Sequence, residues 1–274
     1  MPKAAVAALV LLTAAPAVAQ TTTTLYDPTA GTLPAAQPWL TYADNGFLTG
    51  GTASQTYVSG QGARLTTDAA VSAGYSNYLP LPPILKNAAF PVLDRTAGFS
   101  LSFTVQVHQE THASANRAGF STILLANDRQ GIELGFWQNE VWAQAVGFTR
   151  AESAAWDTTQ ATDYALTVQG GTYQLTANGS PLLTGSVRDY SGFGTPYNLP
   201  NYLFLGDDTS SAAADVTLGR VTLVTPVPEP TGLLAVGAAV IGGGLMRRRP
   251  VMPAPAGAGS GAPPRPAGAG SAAG

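Results

Sequence analysis

Glu133 and Glu140, in the stretch GIELGFWQNE, are the first residues whose type suits chemistry. Breaking a glycosidic bond takes two carboxyl groups flanking it, one protonated and one ionised. Glu140 comes seven residues after Glu133, beyond an expected turn, so one strand does not aim both into one cleft. A hydrolase made from this chain would need carboxylates from different strands. His108 and His112, the two histidines of the chain, flank Glu110 in HQETH. Four-residue spacing binds zinc when a helix turns both rings to one side. Here the segment leaves a strand and enters a Ser/Asn/Ala loop, so solvated side chains are expected instead of a metal site. Trp137 is a candidate glycan contact, because strand alternation puts Phe136 and Trp137 on opposite faces and leaves one nearer solvent. The chain has no cysteine, which excludes disulfides and thiolate chemistry. The fragment GFGTP is no nucleophile elbow, and no Ser nucleophile stands out.

The elements that must position these residues read as strands. In FSLSFTVQVH, Phe99, Leu101, Phe103, Val105 and Val107 share one face, and Ser100, Ser102, Thr104, Gln106 and His108 the other. DYALTVQ and TYQLTA are joined by Gly170-Gly171, and TYQLTA and SPLLTGSV by Asn178-Gly179. Those pairs suit two-residue hairpins whose central residues need positive φ. Further strands are expected at 119–126, 131–137, 140–146, 201–206 and 215–224. Charged residues make up 11% of the 274, against roughly 25% in average soluble proteins, and Gly (31) and Pro (21) are frequent. That composition favours short strands and turns, and no helical stripe appears outside the two ends. Residues 20–226 carry 8 Lys or Arg against 15 Asp or Glu, which makes a nucleic-acid partner improbable.

The strand order resembles the concanavalin A-like jelly roll of laminin-G modules and legume-type lectins. A long strand, the GFSTILL strand, the GIELGFWQNEVWAQ hairpin, the later hairpins and FLGDD carry this likeness. FPVLDRTAGFSLSF and FLGDDTSSA also resemble uncharacterised exported bacterial domains. The fold class expected is therefore an all-β jelly-roll sandwich. The resemblance implies that loop aspartates at the sandwich rim, Asp207 and Asp208 with Asp128 and Asp215, are candidate calcium ligands; the same residues also cap turns. Laminarinase-like hydrolases of this fold carry Glu-x-Asp-x-x-Glu on one strand, whereas position 135 is Gly and 138 is Gln. The domain is accordingly expected to be non-catalytic, with no catalytic residues and glycans as candidate ligands. A carbohydrate-active enzyme is the alternative, and a passive structural module a third reading.

Both ends read as addresses. Residues 1–19 have the form of a signal peptide, with Lys3, an apolar run and Ala17-Val18-Ala19 ahead of a mature start at Gln20. Signal peptidase is the implied partner. Residues 20–38 would form a leader, 39–224 the sandwich, 225–249 a sorting signal and 250–274 a Pro/Gly/Ala-rich disordered tail. Uncharged residues 231–246 would reach about 24 Å as a helix, a marginal transmembrane span capped by Arg247, Arg248 and Arg249 on the cytoplasmic side. Val227-Pro228-Glu229-Pro230 ahead of this span resembles the PEP-CTERM sorting signal. That resemblance implies an exosortase partner and delivery to the surface or exopolysaccharide matrix of a Gram-negative-type bacterium.

Overall fold

The structure, a computed structural model, describes residues 19–227. Its strands in chain order are β1 (Gln20–Tyr26), β2 (Thr41–Asp44), β3 (Ala53–Val58), β4 (Gly62–Thr67), β5 (Ala73–Ser76), β6 (Phe99–His112), β7 (Phe120–Leu125) and β8 (Gln130–Trp137). They continue with β9 (Glu140–Gln144), β10 (Arg150–Ala155), β11 (Thr162–Gln169), β12 (Thr172–Ala177), β13 (Ser180–Ser186), β14 (Arg188–Asp189), β15 (Leu203–Asp207) and β16 (Ala212–Pro226). The first sheet runs β13-β12-β11-β6-β16-β4-β3, with β1 also on β16; the second runs β10-β9-β8-β7-β15-β5-β2, with β14 on β8. Two all-antiparallel sheets with this crossed order make a jelly-roll sandwich.

Period-two alternation holds where it is read from sequence. The apolar face of β6 is buried and its polar face half-exposed, while β8 sends Ile132, Leu134 and Phe136 into the same core. Phe103 of β6 meets Phe136 edge-on at 6.0 Å and Tyr164 of β11 face-on at 5.5 Å, joining the two sheets. At the β12–β13 turn both Asn178 and Gly179 have positive φ, whereas at Gly170-Gly171 only Gly170 does.

Residues 20–38 are not a leader outside the sandwich. β1 pairs antiparallel with β16 from Gln20↔Pro226 to Tyr26↔Val221, and Leu25 and Tyr26 are fully buried. The sandwich therefore begins at Gln20. The two ends of the domain meet, since the Val227 N–H donates to the Ala19 carbonyl at 2.7 Å. The remaining signal-peptide residues, Pro228 to Pro230, the 231–246 span, Arg247 to Arg249 and the tail lie outside the described residues. Among the described residues no helix is long and apolar enough to cross a membrane.

Leu25→Ala separates a structural strand from a leader. Removing a fully buried leucine should lower the unfolding free energy by about 2–5 kcal/mol in urea titration, whereas a residue outside the fold would leave it unchanged.

Candidate functional site

Across the outward face of the second sheet runs a row of residues with little or no side chain. Ala43, Gly74, Gly206, Ser121 and Gly135 are successive cross-strand partners on β2, β5, β15, β7 and β8. Two aromatic rings rest on this row. A Cβ on Gly74 would lie 2.6 Å from Cζ of Phe204, and one on Gly135 would lie 2.5 Å from Cζ2 of Trp142. Beside the Phe204 ring lies a cleft of about 280 Å³, lined by Ala43, Ile123, Tyr197, Tyr202, Phe204 and Asp208 among others. Phe47 and Leu81, which are 99% and 89% exposed, stand beside lining residues Asn45 and Pro80.

One end of the cleft holds two carboxyl groups. Glu133 of β8 is only 5% exposed, and the Tyr197 hydroxyl donates to it at 2.6 Å. Asp208, just beyond β15, faces the cleft. Burial and then the neighbouring Asp208 charge push Glu133 well above the ordinary carboxyl range; Tyr197 and Arg117 pull it back only in part. Burial also raises Asp208, opposed by Ser121, by a hydrogen bond from Glu133 and by Arg117. The hydrogen bond between the two acids thus works in opposite directions on them. Two carboxyls this close in a dry site do not both ionise. Burial thus favours the protonated form of both groups.

The cover over Glu133 is the segment from Tyr190 to Tyr202. Tyr190 donates to the Gln144 carbonyl at 2.6 Å. Tyr78 donates to the Pro200 carbonyl at 2.8 Å, and the Asn77 amide to the Asn201 carbonyl at 2.7 Å. Tyr190, Tyr197 and Tyr202 form a satellite apolar cluster with Ile123 and Leu125. Burial raises the pKa of both Tyr197 and Tyr202, so both stay protonated, and Tyr197 is a donor to Glu133.

The other candidates fall elsewhere. Glu140 is not a partner of Glu133; it pairs with Arg150. The four aspartates do not converge. Asp207 points inward, fully buried, and accepts from Thr67 at 2.7 Å; Asp128 binds Arg95 and Asp215 binds Arg64. Among the described residues no group of three His, Cys, Asp or Glu is arranged to hold a metal. The histidines belong to strand β6 and not to a loop. His108 contacts the Thr217 hydroxyl at 2.8 Å, and His112 contacts buried Glu110 at 3.0 Å. Trp137 has its flat surface taken by protein: His112 stacks on it at 4.1 Å and the Arg150 guanidinium sits 4.4 Å from its ring centre. Phe204, which sequence reasoning passed over, is the aromatic face open to the cleft.

Solved structures share this architecture at low identity. A carbohydrate esterase from Shiga toxin-encoding bacteriophage phi24B is 13% identical at a TM-score of 0.50, the match covering 76% of this chain and 100% of that one. A Bacillus subtilis protein of unknown function with a galectin-like fold is 10% identical at 0.42, covering 74% and 97%. Trypanosoma rangeli sialidase is 14% identical at 0.40, covering 63% of this chain and 27% of the enzyme. No family model and no curated protein matches the chain. The fold is a lectin-type jelly roll. The expectation of a non-catalytic domain is corrected here: a carbohydrate esterase shares this architecture, so the fold is no ground for excluding catalysis.

Inward-facing Asp207 gives a stability test at the rim of the site. Burial raises it from 3.8 to about 8. Between those values the unfolded chain releases this proton while the folded chain keeps it. The contribution is full below the unfolded value and is lost as pH rises toward 8, by up to about 1.4 kcal/mol per unit. Asp207→Asn removes this slope. Urea titrations at pH 5 and pH 8 should show the variant gaining stability over the parent as pH rises.

Proposed function

We propose that the chain is a carbohydrate-active hydrolase working on a glycan laid in the transverse cleft, with Asp208 as its acid–base group. The observation that carries this reading is the pair of carboxyl groups, Asp208 lining the cleft and Glu133 buried behind it beneath Tyr197. A carboxylate whose proton affinity is raised is a stronger base toward water than a surface aspartate. Asp208 takes a proton from the attacking water, the water oxygen bonds to the carbon of the linkage, and the proton passes to the leaving oxygen as that bond breaks. Glu133 keeps its own proton throughout and donates to Asp208. It is a positioning residue, held by Tyr197. Phe204 offers a flat apolar face to a sugar ring, and the architecture shared with a carbohydrate esterase is compatible with this use of the fold.

Release of reducing ends or acyl groups from a panel of polysaccharides tests the reading. Asp208→Asn should lower turnover by about 10²–10⁴-fold. Glu133→Gln should keep activity at acid pH and abolish the alkaline fall, because that fall reports ionisation of Glu133. Full turnover by Asp208→Asn would remove the assignment.

For location, we propose export followed by exosortase sorting. The N-terminal run ending in Ala17-Val18-Ala19 and the Val227-Pro228-Glu229-Pro230 motif with Arg247 to Arg249 support this reading. The intact mass of surface-extracted protein should correspond to a chain starting at Gln20 and lacking the segment beyond the motif. A mass retaining both extremities rejects it.

A further inference from the structure

We propose that the cleft takes uncharged or amino-bearing sugars and rejects anionic ones such as uronates, sialates and sulfated units. This deepens the reading of the cleft as a glycan site and rests on it. Two carboxylates, Asp44 and Asp208, line the cleft, and no Lys, Arg or His does. Recognition of a sugar carboxylate or sulfate draws on a forked or ammonium donor, and the described cations near the site are committed elsewhere. Arg117, whose charge reaches the acid pair, donates to the carbonyls of Asn116 and Phe148 at 2.8 and 3.1 Å. Lys86 is spent on three backbone carbonyls, those of Ala35, Gln37 and Leu40. Arg150 is paired with Glu140 and laid over Trp137.

An anionic unit in this cleft would meet like charge in a partly desolvated space, and the lining supplies no cation to pair with it. An uncharged pyranose loses nothing there. Its apolar C–H face matches Phe204 and its hydroxyls can donate to Asp208 and Asn45. An amino sugar gains attraction from both aspartates. The rim adds no cation, since Phe47 and Leu81, exposed beside Asn45 and Pro80, are apolar.

Calorimetric titration of the full chain with three probes tests the selectivity: a β-glucan hexamer, a glucosamine hexamer at pH 6 and a polygalacturonate hexamer. The first or second should bind at least about tenfold more tightly than the third at low salt, and the gap should narrow as salt rises. Asp44→Lys should improve polygalacturonate binding by about tenfold. Equal or tighter binding of polygalacturonate to the parent chain overturns the selectivity and leaves the glycan reading standing. Turnover lost in Asp208→Asn but confined to anionic polymers has the same consequence. Binding of none of the three, with no turnover on any polysaccharide, overturns both.

Discussion

Keeping water away from one carboxyl group is the constraint on which the site depends. Glu133 lies on a strand whose sequence neighbours Ile132 and Leu134 face the core, so alternation alone sends it to the outer face of the sheet. On an open sheet that position would be an ordinary solvated glutamate. Three tyrosines on one long connection turn it into a buried acid. The connection is held down by hydrogen bonds as well as packing: Tyr190 donates to the Gln144 carbonyl, and the connection's own Pro200 and Asn201 carbonyls accept from Tyr78 and Asn77. Once Glu133 is dry, burial holds its carboxyl well above the ordinary range.

The small-residue row and the acid pair serve each other. Gly74 and Gly206 on adjacent strands keep side chains off this stretch of the outer face, and the Phe204 ring takes the space over Gly74. The same absence lets Asp208 reach the level of Ser121 and Glu133. The sandwich core beneath is unaffected, since the opposite faces of these strands carry Tyr75, Leu205 and Leu134. Floor and core are thus separate faces of the same strands, which is how a lectin-type sheet changes its ligand without changing its fold.

Legibility in the sequence followed strand length and alternation. β6, β8, β11 and β12 announce themselves because each alternates over six or more residues. β2 and β5 have four residues each, and β10 alternates among Ala, Ser and Glu, too weak a contrast to read. β1, with its run of threonines, looks like a tether until its partner is known. The histidines were misplaced for a related reason. β6 continues past a register irregularity opposite Asp215 and Val216, where alternation shifts by one and the pattern appears to end. The acid pair was hidden more deeply. Its members come from β8 and the end of β15, which are not neighbours but flank β7, so no spacing in the chain could have joined Glu133 to Asp208. What could have pointed to it was Glu133 itself, a charged residue in an otherwise apolar and glycine strand.

Phe204 shows what the glycine beneath it does for binding. With its ring resting on the bare backbone of Gly74, it has little freedom to rotate before any ligand arrives. Immobilising a flexible side chain on association commonly opposes binding by about 0.5–1.5 kcal/mol. At Phe204 packing on Gly74 lowers that cost in advance, so on the proposed reading a sugar would meet a ring already held in place.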